Sequence, residues 1–342
     1  MKLATALAIL GGVVLLGLAV HAWWRTRRLR DQQPRQGAPS SLLAERVEPA
    51  LDAPPLSDAP LQMRALHKRT PRLDALIDAI APLALDAPIS GEQALQHLPP
   101  TRRAGSKPFY IEGLDADTGS WEVLSPGQRY SELQAGVQLA NRGGPLNEIE
   151  YSEFVQKIEA YAEATGASPD VPDMLEVVAR ARELDGLAAP LDAQLSITLR
   201  TNSVAWSVGF VQQVAARLGL VPGALSGRWV MPSAEEGAPP MLVLAVDAQA
   251  ALAEDPQRAV VRECHLSLDV PQTPASVEPF PAWHLLGKQL CDDLDATAVD
   301  DQGQAISLHA FDAIGKEIDD LYERLERLDL AAGSAAARRL FS

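Results

Sequence analysis

The sequence predicts an α+β fold, in which antiparallel strands form a sheet and helices pack on one of its faces. Residues 264–270 alternate apolar and polar side chains, which is the period of a strand with one buried face. Residues 280–295 and 307–330 carry apolar side chains at helical spacing instead. The order of strand, helix, three strands and helix also occurs twice, over about 74–186 and 191–330. The chain is therefore expected to contain two tandem, diverged ferredoxin-like units.

The first copy is predicted from alternation for its strands and from apolar stripes for its helices. Its short helix opens with Ser90-Gly-Glu-Gln93, a capping-box pattern. In the helix 147–165 we expect Ile149, Phe154, Ile158 and Tyr161 to face inward. No clear strand is predicted between the last two helices, where Ser168-Pro-Asp-Val-Pro172 stands. The predicted strands are 80–88, 107–112, 121–124 and 132–140, and the helices are 90–98, 147–165 and 174–184.

The second copy follows the same order. Its first strand has Leu195, Ile197 and Leu199 on one face. A short edge strand is predicted at 296–302, because this stretch is too brief for a helix. The remaining predicted strands are 225–231, 241–246 and 264–270, and the helices are 204–218, 280–295 and 307–330.

Two strands of the second copy are more apolar than a one-sided sheet requires. The strand 225–231 places Leu225, Trp229 and Met231 on one side and Val230 on the other, and 241–246 is apolar on both sides. An apolar patch on the face away from the helices is typical of a peptide-binding surface. The alternative is that the first copy, or a second molecule in a homo-oligomer, covers that face.

Composition limits the classes of partner. The 342 residues are 47% apolar, which is enough for a core, and the net charge is −15. Residues 1–36 hold six basic side chains and one acidic one, so the rest of the chain is more acidic than the total suggests. Such a body repels phosphate, and we expect no nucleic-acid partner. The two cysteines, Cys264 and Cys291, form no disulfide framework and fit a reducing compartment.

The amino-terminal region predicts a membrane anchor. Residues 3–24 are apolar or small except for Thr5 and His21, and about 20 such residues are needed to cross a bilayer as a helix. Trp23 and Trp24 suit the interface, and Arg25, Arg27, Arg28 and Arg30 follow at once. This charge bias predicts a cytoplasmic body, with the amino terminus on the opposite side of the membrane. A cleaved signal peptide is the alternative, and the basic stretch after the span argues against it.

The predicted organisation has five parts. A transmembrane anchor with its basic flank occupies 1–30, and a proline-rich linker occupies 31–70. The first α+β unit spans 71–188 and the second spans 189–332. A tail is predicted at 333–342.

Motifs for catalysis or cofactor binding are mostly missing. The sequence has no GxGxxG before a helix, no phosphate loop, no CxxC pair and no nucleophile elbow. His284 and Cys291 share a helix face, but a zinc site needs three or four ligands. The aspartates between 292 and 301 favour a solvated helix end and turn over a cation site. Arg102 and Arg103 form a small basic island that fits ordinary solvation, with an acidic tail or lipid as the alternative contact.

The second copy resembles the C-terminal, FtsZ-binding domain of the bacterial division protein ZipA. The resemblance rests on Leu266-Ser-Leu-Asp-Val-Pro271, the helix through Leu290, the turn Val299-Asp-Asp-Gln302 and the helix 307–330. It covers about 191–330. It implies no catalysis and no cofactor. In this family the exposed sheet face binds the C-terminal tail peptide of FtsZ, the tubulin-like division GTPase, in a shallow apolar groove.

Carried onto this chain, the resemblance implies a groove on four strands and one turn. The second strand supplies Trp229, and the third supplies Val246. Ser267 stands where the family has a large aromatic residue, and Gly303 stands where a basic residue is usual. The full set of implied partner-binding positions is Ser196, Thr198, Gly227, Trp229, Val246, Ala248, Ser267 and Gly303.

The sequence and the resemblance together predict a non-enzymatic, single-pass protein of the bacterial inner membrane. It would bind the FtsZ tail and link the cytokinetic ring to the membrane during assembly of the division septum. Two alternatives stay open. One is a membrane-anchored scaffold for another partner, and the other is an anchored enzyme with a site between the two units.

Overall fold

Two antiparallel sheets form the framework of the protein. The structure, a computed structural model, describes residues 71–342 apart from 254, 301 and 307. These residues belong to one compact unit, Ala65–Ser342. Within the described range, eight α-helices accompany the sheets. The predicted α+β class with antiparallel sheets is confirmed.

The first sheet is built from the first half of the described chain. Its main strand order is β3-β4-β6-β1-β9, with β2 paired to β6 and β5 paired to β4. The small hairpin β7-β8 lies outside it. The elements are β1 Asp78–Leu85, β2 Ile89–Ser90, α1 Gly91–Gln96, β3 Arg103–Ala104, β4 Lys107–Asp115, β5 Trp121–Val123, β6 Arg129–Gln138, β7 Ala140–Asn141, β8 Gly144–Pro145, α2 Glu148–Thr165, β9 Ala167–Pro169 and α3 Met174–Ala188.

The second sheet is built from the second half, in the order β12-β13-β14-β16-β10-β17. The short strands β11 and β15 pair with each other beside it. The elements are β10 Gln194–Thr201, β11 Trp206–Ser207, α4 Val208–Arg217, β12 Val221–Pro222, β13 Arg228–Met231, β14 Leu242–Ala245, α5 Ala248–Ala251, β15 Val260–Val261, β16 Glu263–Asp269, α6 Pro279–Leu294, β17 Ala296–Val299, α7 Leu308–Arg327 and α8 Ala335–Leu340.

Helix α2 covers one face of the first sheet. Phe154 of α2 meets Phe109 of β4 edge to face, with ring centroids 5.6 Å apart. The helix begins at a capping box, in which Asn147 and Glu150 each accept a backbone N–H of the other's residue. The expectation that Ile149 faces inward is wrong, since it is 82% exposed. Ile149 is the second residue of the helix, where the capping geometry and not the apolar stripe sets its direction.

Helix α6 covers the second sheet in the same way. Trp283 is buried, and its indole Nε1 donates to the Leu266 carbonyl at 3.2 Å. Gly287 lies against the sheet so closely that an added Cβ would stand 2.9 Å from Cδ1 of Ile197. A side chain at this position would therefore push α6 away from β10.

Two predictions about element boundaries are wrong. A strand does follow α2, because Ala167–Pro169 pairs with Leu83–Leu85 of β1. The predicted tail contains helix α8, in which Ala337, Leu340 and the following Phe341 are buried. Its alternation of small, apolar and basic residues is too short to display a helical period.

No helix in the described part of the chain is both long and apolar enough to cross a membrane. The predicted span at 3–24 and the linker at 31–70 lie outside the described residues.

Glu150 connects helix α2 to the β3–β4 turn and gives a testable pH dependence. Its carboxylate accepts from Ser106 N at 2.8 Å and from Ser106 Oγ at 2.7 Å. Burial alone would raise the pKa of Glu150, but these donors and nearby Lys107 lower it overall. A lowered pKa means that the stabilisation is present above the ordinary value of 4.5 and is lost as the pH falls through the folded-state value. We expect Glu150→Gln to lower the free energy of unfolding by about 1–2 kcal/mol at pH 7.

Chemical denaturation at several pH values measures this effect. The deficit of Glu150→Gln should shrink as the pH falls below 4.5, because the wild-type carboxylate becomes protonated there. Glu159→Gln, on an exposed position of the same helix, is the matched control. An equal deficit at all pH values would contradict the assignment.

Candidate partner-binding face

The second sheet has one face turned away from α6, which we call the open face. Strand register defines it, because alternate residues of neighbouring strands share a face. Arg228, His265 and Ser196 on this face are exposed, and the remaining members are partly exposed. Two rows of this face run across all four strands β13, β14, β16 and β10, namely Arg228–Ala245–His265–Thr198 and Val230–Val243–Ser267–Ser196.

A groove opens at the β12–β13–β14 side of the open face, and we call it the edge groove. Its cavity volume is about 470 Å³. Val230 and Val243 form an apolar floor, and the turn residue Leu225 contributes to one wall. The loop 232–240 provides the other wall, with Pro232, Pro240, Glu235 and Glu236 among the lining residues.

The loop that walls the edge groove is held from outside the sheet. Arg338 of α8 forms an ion pair with Glu235, with 2.7 Å between Nη2 and Oε2. The hydrogen bond from Arg338 lowers the pKa of Glu235. Helix α8 therefore contacts one wall of the groove through this ion pair.

The centre of the open face is polar. Thr198 Oγ1 and His265 Nδ1 lie 3.0 Å apart. Ser267 Oγ donates to the Val243 carbonyl at 3.3 Å. An apolar ligand would gain less from covering this centre than from filling the edge groove.

Three of the implied groove positions, Ser196, Thr198 and Ser267, lie on the open face. The register predicted for β10 and β16 places them there, because Ile197, Leu199, Leu266 and Leu268 fill the core face. The structure thus brings three of the eight implied residues together on adjacent strands.

The expectation that Trp229 lies on the open face is wrong. Trp229 is 4% exposed and pairs with Leu244, which belongs to the core face. Gly227 stands two residues before Trp229 and lies in a turn with φ +74°. An added Cβ there would stand 2.3 Å from Cβ of Ala251. The second strand is shifted by one residue from the implied register, and such a shift exchanges the two faces. On this strand, the exposed Arg228 and the partly exposed Val230 lie on the open face instead.

The positions implied on the third strand are also wrong. Strand β14 ends at Ala245, and Val246 is buried, with its N–H donating to the Gly227 carbonyl at 2.9 Å. Ala248 belongs to the short helix α5. Asp247 ends the strand pattern by capping that helix through the Gln249 and Ala250 N–H groups.

Gly303 lies in the turn after β17, with φ +77°. An added Cβ there would stand 3.3 Å from Nη1 of Arg200, so the guanidinium lies beside this turn. Arg200 also forms an ion pair with Glu263, with 2.7 Å between Nε and Oε1. A basic group is therefore present next to Gly303, but β10 supplies it.

The implied set omits five residues of the open face, which are Arg228, Val230, Val243, Ala245 and His265. The signal for two of them was present in the sequence, since β14 is apolar on both sides and Val230 stands opposite Trp229. The loop 232–240 carries no strand or helix pattern, so its role as a groove wall has no sequence signal.

The cysteines, His284 and two of the aspartates singled out in the sequence take part in packing, ion pairs or hydrogen bonds. Burial, with Cys291 close by, raises the pKa of the Cys264 thiol to about 12, which leaves little nucleophilic thiolate at neutral pH. His284 stacks on Phe311 at 4.2 Å between ring centroids. Asp293 pairs with Arg217, and Asp295 accepts from Asn202 and Ser203. Among the described residues, no group of three potential metal ligands comes together.

A cavity of about 340 Å³ lies between the two halves, beside the β7–β8 hairpin. Arg142 at its wall is tied to Asp192 at 2.6 Å and to Asp269 at 2.7 Å. The described residues that line it include no serine, cysteine, histidine or lysine. Arg142 therefore acts as a brace between the halves.

Compared with known protein families and with curated proteins, the chain matches none.

The corrected position of Trp229 predicts a large loss of stability on truncation. We expect Trp229→Ala to lower the free energy of unfolding by about 3–5 kcal/mol, because it leaves a cavity in the core. Urea denaturation of the variant measures this loss. The neighbouring variant Arg228→Ala, at an exposed position, should change stability by about 0.5 kcal/mol or less. Equal, small effects of both substitutions would contradict the register described here.

Proposed function

We propose that this protein tethers the division GTPase FtsZ to the bacterial inner membrane by binding the C-terminal tail of FtsZ in the edge groove. The observation that carries the proposal is the apolar floor of Val230 and Val243 on the helix-free face of the second sheet. The resemblance to the ZipA domain supplies the identity of the ligand. The predicted anchor at 3–24 supplies the membrane link, with the amino terminus in the periplasm.

The geometry supports a short amphipathic peptide as ligand. Apolar side chains of the peptide would cover the valine floor, and its polar side would face the solvent and the polar centre of the open face. Burial contributes about 25 cal/mol per Å² before the cost of association, so a shallow groove of this kind gives modest affinity.

We further propose that the two halves are diverged copies of one ZipA-like unit. In support, β1 lies between β6 and β9 in the first sheet, as β10 lies between β16 and β17 in the second. The equivalent helices α1 and α4 both follow a two-residue strand and are capped by Ser90 and Ser207. The strands after the helix are connected differently in the two halves. In the first half β4 pairs with β6. In the second half the strand that pairs with β16 is β14, which follows β13.

A scaffold for a different partner remains the alternative proposal. The observation that favours it is the mixed charge of the edge groove, which Glu236, Arg228 and the Glu235–Arg338 pair provide. Such a lining suits a peptide that carries charged residues, whatever protein it belongs to.

The proposal predicts saturable binding of the FtsZ tail to the edge groove. We expect the full chain in detergent to bind a labelled peptide of the tail from the same bacterium, measured by fluorescence anisotropy. Val243→Asp should weaken binding by at least about tenfold, equivalent to about 1.4 kcal/mol, because it places a carboxylate on the apolar floor. Val230→Asp should act in the same way.

Val260→Asp is the matched control, because Val260 is an exposed valine on β15, away from the groove. It should leave the affinity within about twofold of wild type. Wild-type protein that shows no binding at hundreds of micromolar peptide would refute the FtsZ proposal. Binding that none of the three variants changes would keep the ligand but place it elsewhere.

A further inference from the structure

The first sheet also has a face turned away from α2, but this face is covered. Asp78, Glu112 and Gln138 lie on it, and each is at most 1% exposed. Three polar side chains at such burial need partners, because an unpaired buried polar group costs free energy. The covering segments supply these partners, and they come from both ends of the described chain.

Residues 72–73 cover one part of the face. The N–H groups of Arg72 and Leu73 both donate to Glu112 Oε1, the second at 3.0 Å. The Leu73 side chain lies on Gly136, where an added Cβ would stand 2.5 Å from Cδ2 of Leu73.

Helix α8 covers the other part, and a single arginine makes most of the contacts. The guanidinium of Arg339 meets the Asp78 carboxylate with two parallel hydrogen bonds, at 2.8 Å for Nη1–Oδ2 and 2.5 Å for Nη2–Oδ1. Its Cζ lies 5.0 Å from the ring centroid of Tyr110, a cation–π distance. Its backbone carbonyl accepts from Gln138 Nε2 at 2.8 Å.

These contacts involve the positive charge of the arginine, its planar guanidinium group and its backbone carbonyl. Lysine could not reproduce the fork on Asp78. Leu340 and Phe341, which follow, are buried beside the β7–β8 hairpin, and Gln272 of the second half donates to the Phe341 carbonyl at 2.7 Å. The adjacent Arg338 points instead to Glu235 on the wall of the edge groove. The two arginines thus act on different halves of the protein.

We propose that the covered face of the first sheet is a peptide-binding site for an arginine-containing segment, and that residues 334–342 are its ligand in cis. This inference does not depend on FtsZ. Burial raises the pKa of Asp78 while Arg339 opposes that rise, which agrees with a carboxylate that needs the arginine to stay ionised.

The proposal is tested by offering the segment in trans to the full chain. The probe is a fluorescein-labelled, amidated peptide of residues 334–342, and binding is followed by anisotropy in detergent. In the wild type the site is already filled. We expect the chain with Arg339→Ala to bind the probe at least about tenfold more tightly than the wild type, because its own segment has lost the contacts with Asp78 and Tyr110.

Three controls separate recognition from general loosening. The chain with Arg338→Ala should bind the probe as weakly as the wild type does, since Arg338 pairs with Glu235 and not with Asp78. A probe carrying alanine at the position of Arg339 should not bind. Asp78→Asn added to Arg339→Ala should abolish binding. The proposal is overturned if the folded Arg339→Ala chain does not bind the probe, or if it binds the probe and its alanine-substituted form with equal affinity.

Hydrogen exchange on the wild-type protein tests the same proposal independently, and it can be used if the Arg339→Ala variant does not fold. A cis ligand opens locally, so the amides of 336–341 should exchange faster than those of β1 and β4. An excess of the probe peptide should accelerate that exchange by displacing the segment. Amides of 336–341 that exchange no faster than those strands would show that α8 is an inseparable part of the core, and the inference would fail.

Discussion

The ion pair between Asp78 and Arg339 is the constraint that organises much of this structure. Asp78 lies on a sheet face, where a carboxylate without a partner would cost several kcal/mol to bury. Arg339 meets that need only if helix α8, which follows the second half in the sequence, packs on the first sheet. In the same helix, Arg338 forms an ion pair with Glu235 of the loop that walls the edge groove. The covered face of one sheet and the groove wall of the other therefore both contact the same short helix.

Strand register decides which side chains can meet a partner. A continuous core row runs across four strands of the second sheet, Trp229–Leu244–Leu266–Ile197, and all four are nearly inaccessible. Moving β13 by one residue would place Trp229 on the open face and Val230 in the core. Both residues are apolar, so hydrophobicity does not distinguish the two registers. The turn at Gly227 and the pairing with β14 settle the choice, and they are properties of the folded chain.

The sequence allowed most elements to be predicted because their periods are long and regular. The strand Glu263–Asp269 and the helices Glu148–Thr165 and Pro279–Leu294 lie close to their predicted bounds. Shorter elements carried too few residues for a period. The strand Ala167–Pro169 contains a proline, which is unusual in a strand, but this strand lies at the sheet edge, where proline is tolerated. Helix α8 was missed because its role depends on Asp78, more than 250 residues earlier in the chain. For the same reason the sequence predicts only some residues of the candidate binding face. Ser196, Thr198 and Ser267 follow from long strands, whereas the wall at 232–240 follows from tertiary contacts.

The covered face of the first sheet and the open face of the second differ in polarity, and this difference indicates how two copies of one unit would diverge in function. If the halves are copies, as proposed, then an original unit with one free face gave rise to two unlike faces. The first now carries Asp78, Glu112 and Gln138, which are poor partners for an apolar peptide and are satisfied within the chain. The second keeps Val230 and Val243, with solvent access to its groove. A polar face whose groups are all paired favours one defined packing partner, whereas an apolar, open face is available to a ligand. In the proposed function, the first half would therefore serve mainly as the support on which α8 packs, and the second half would offer the groove.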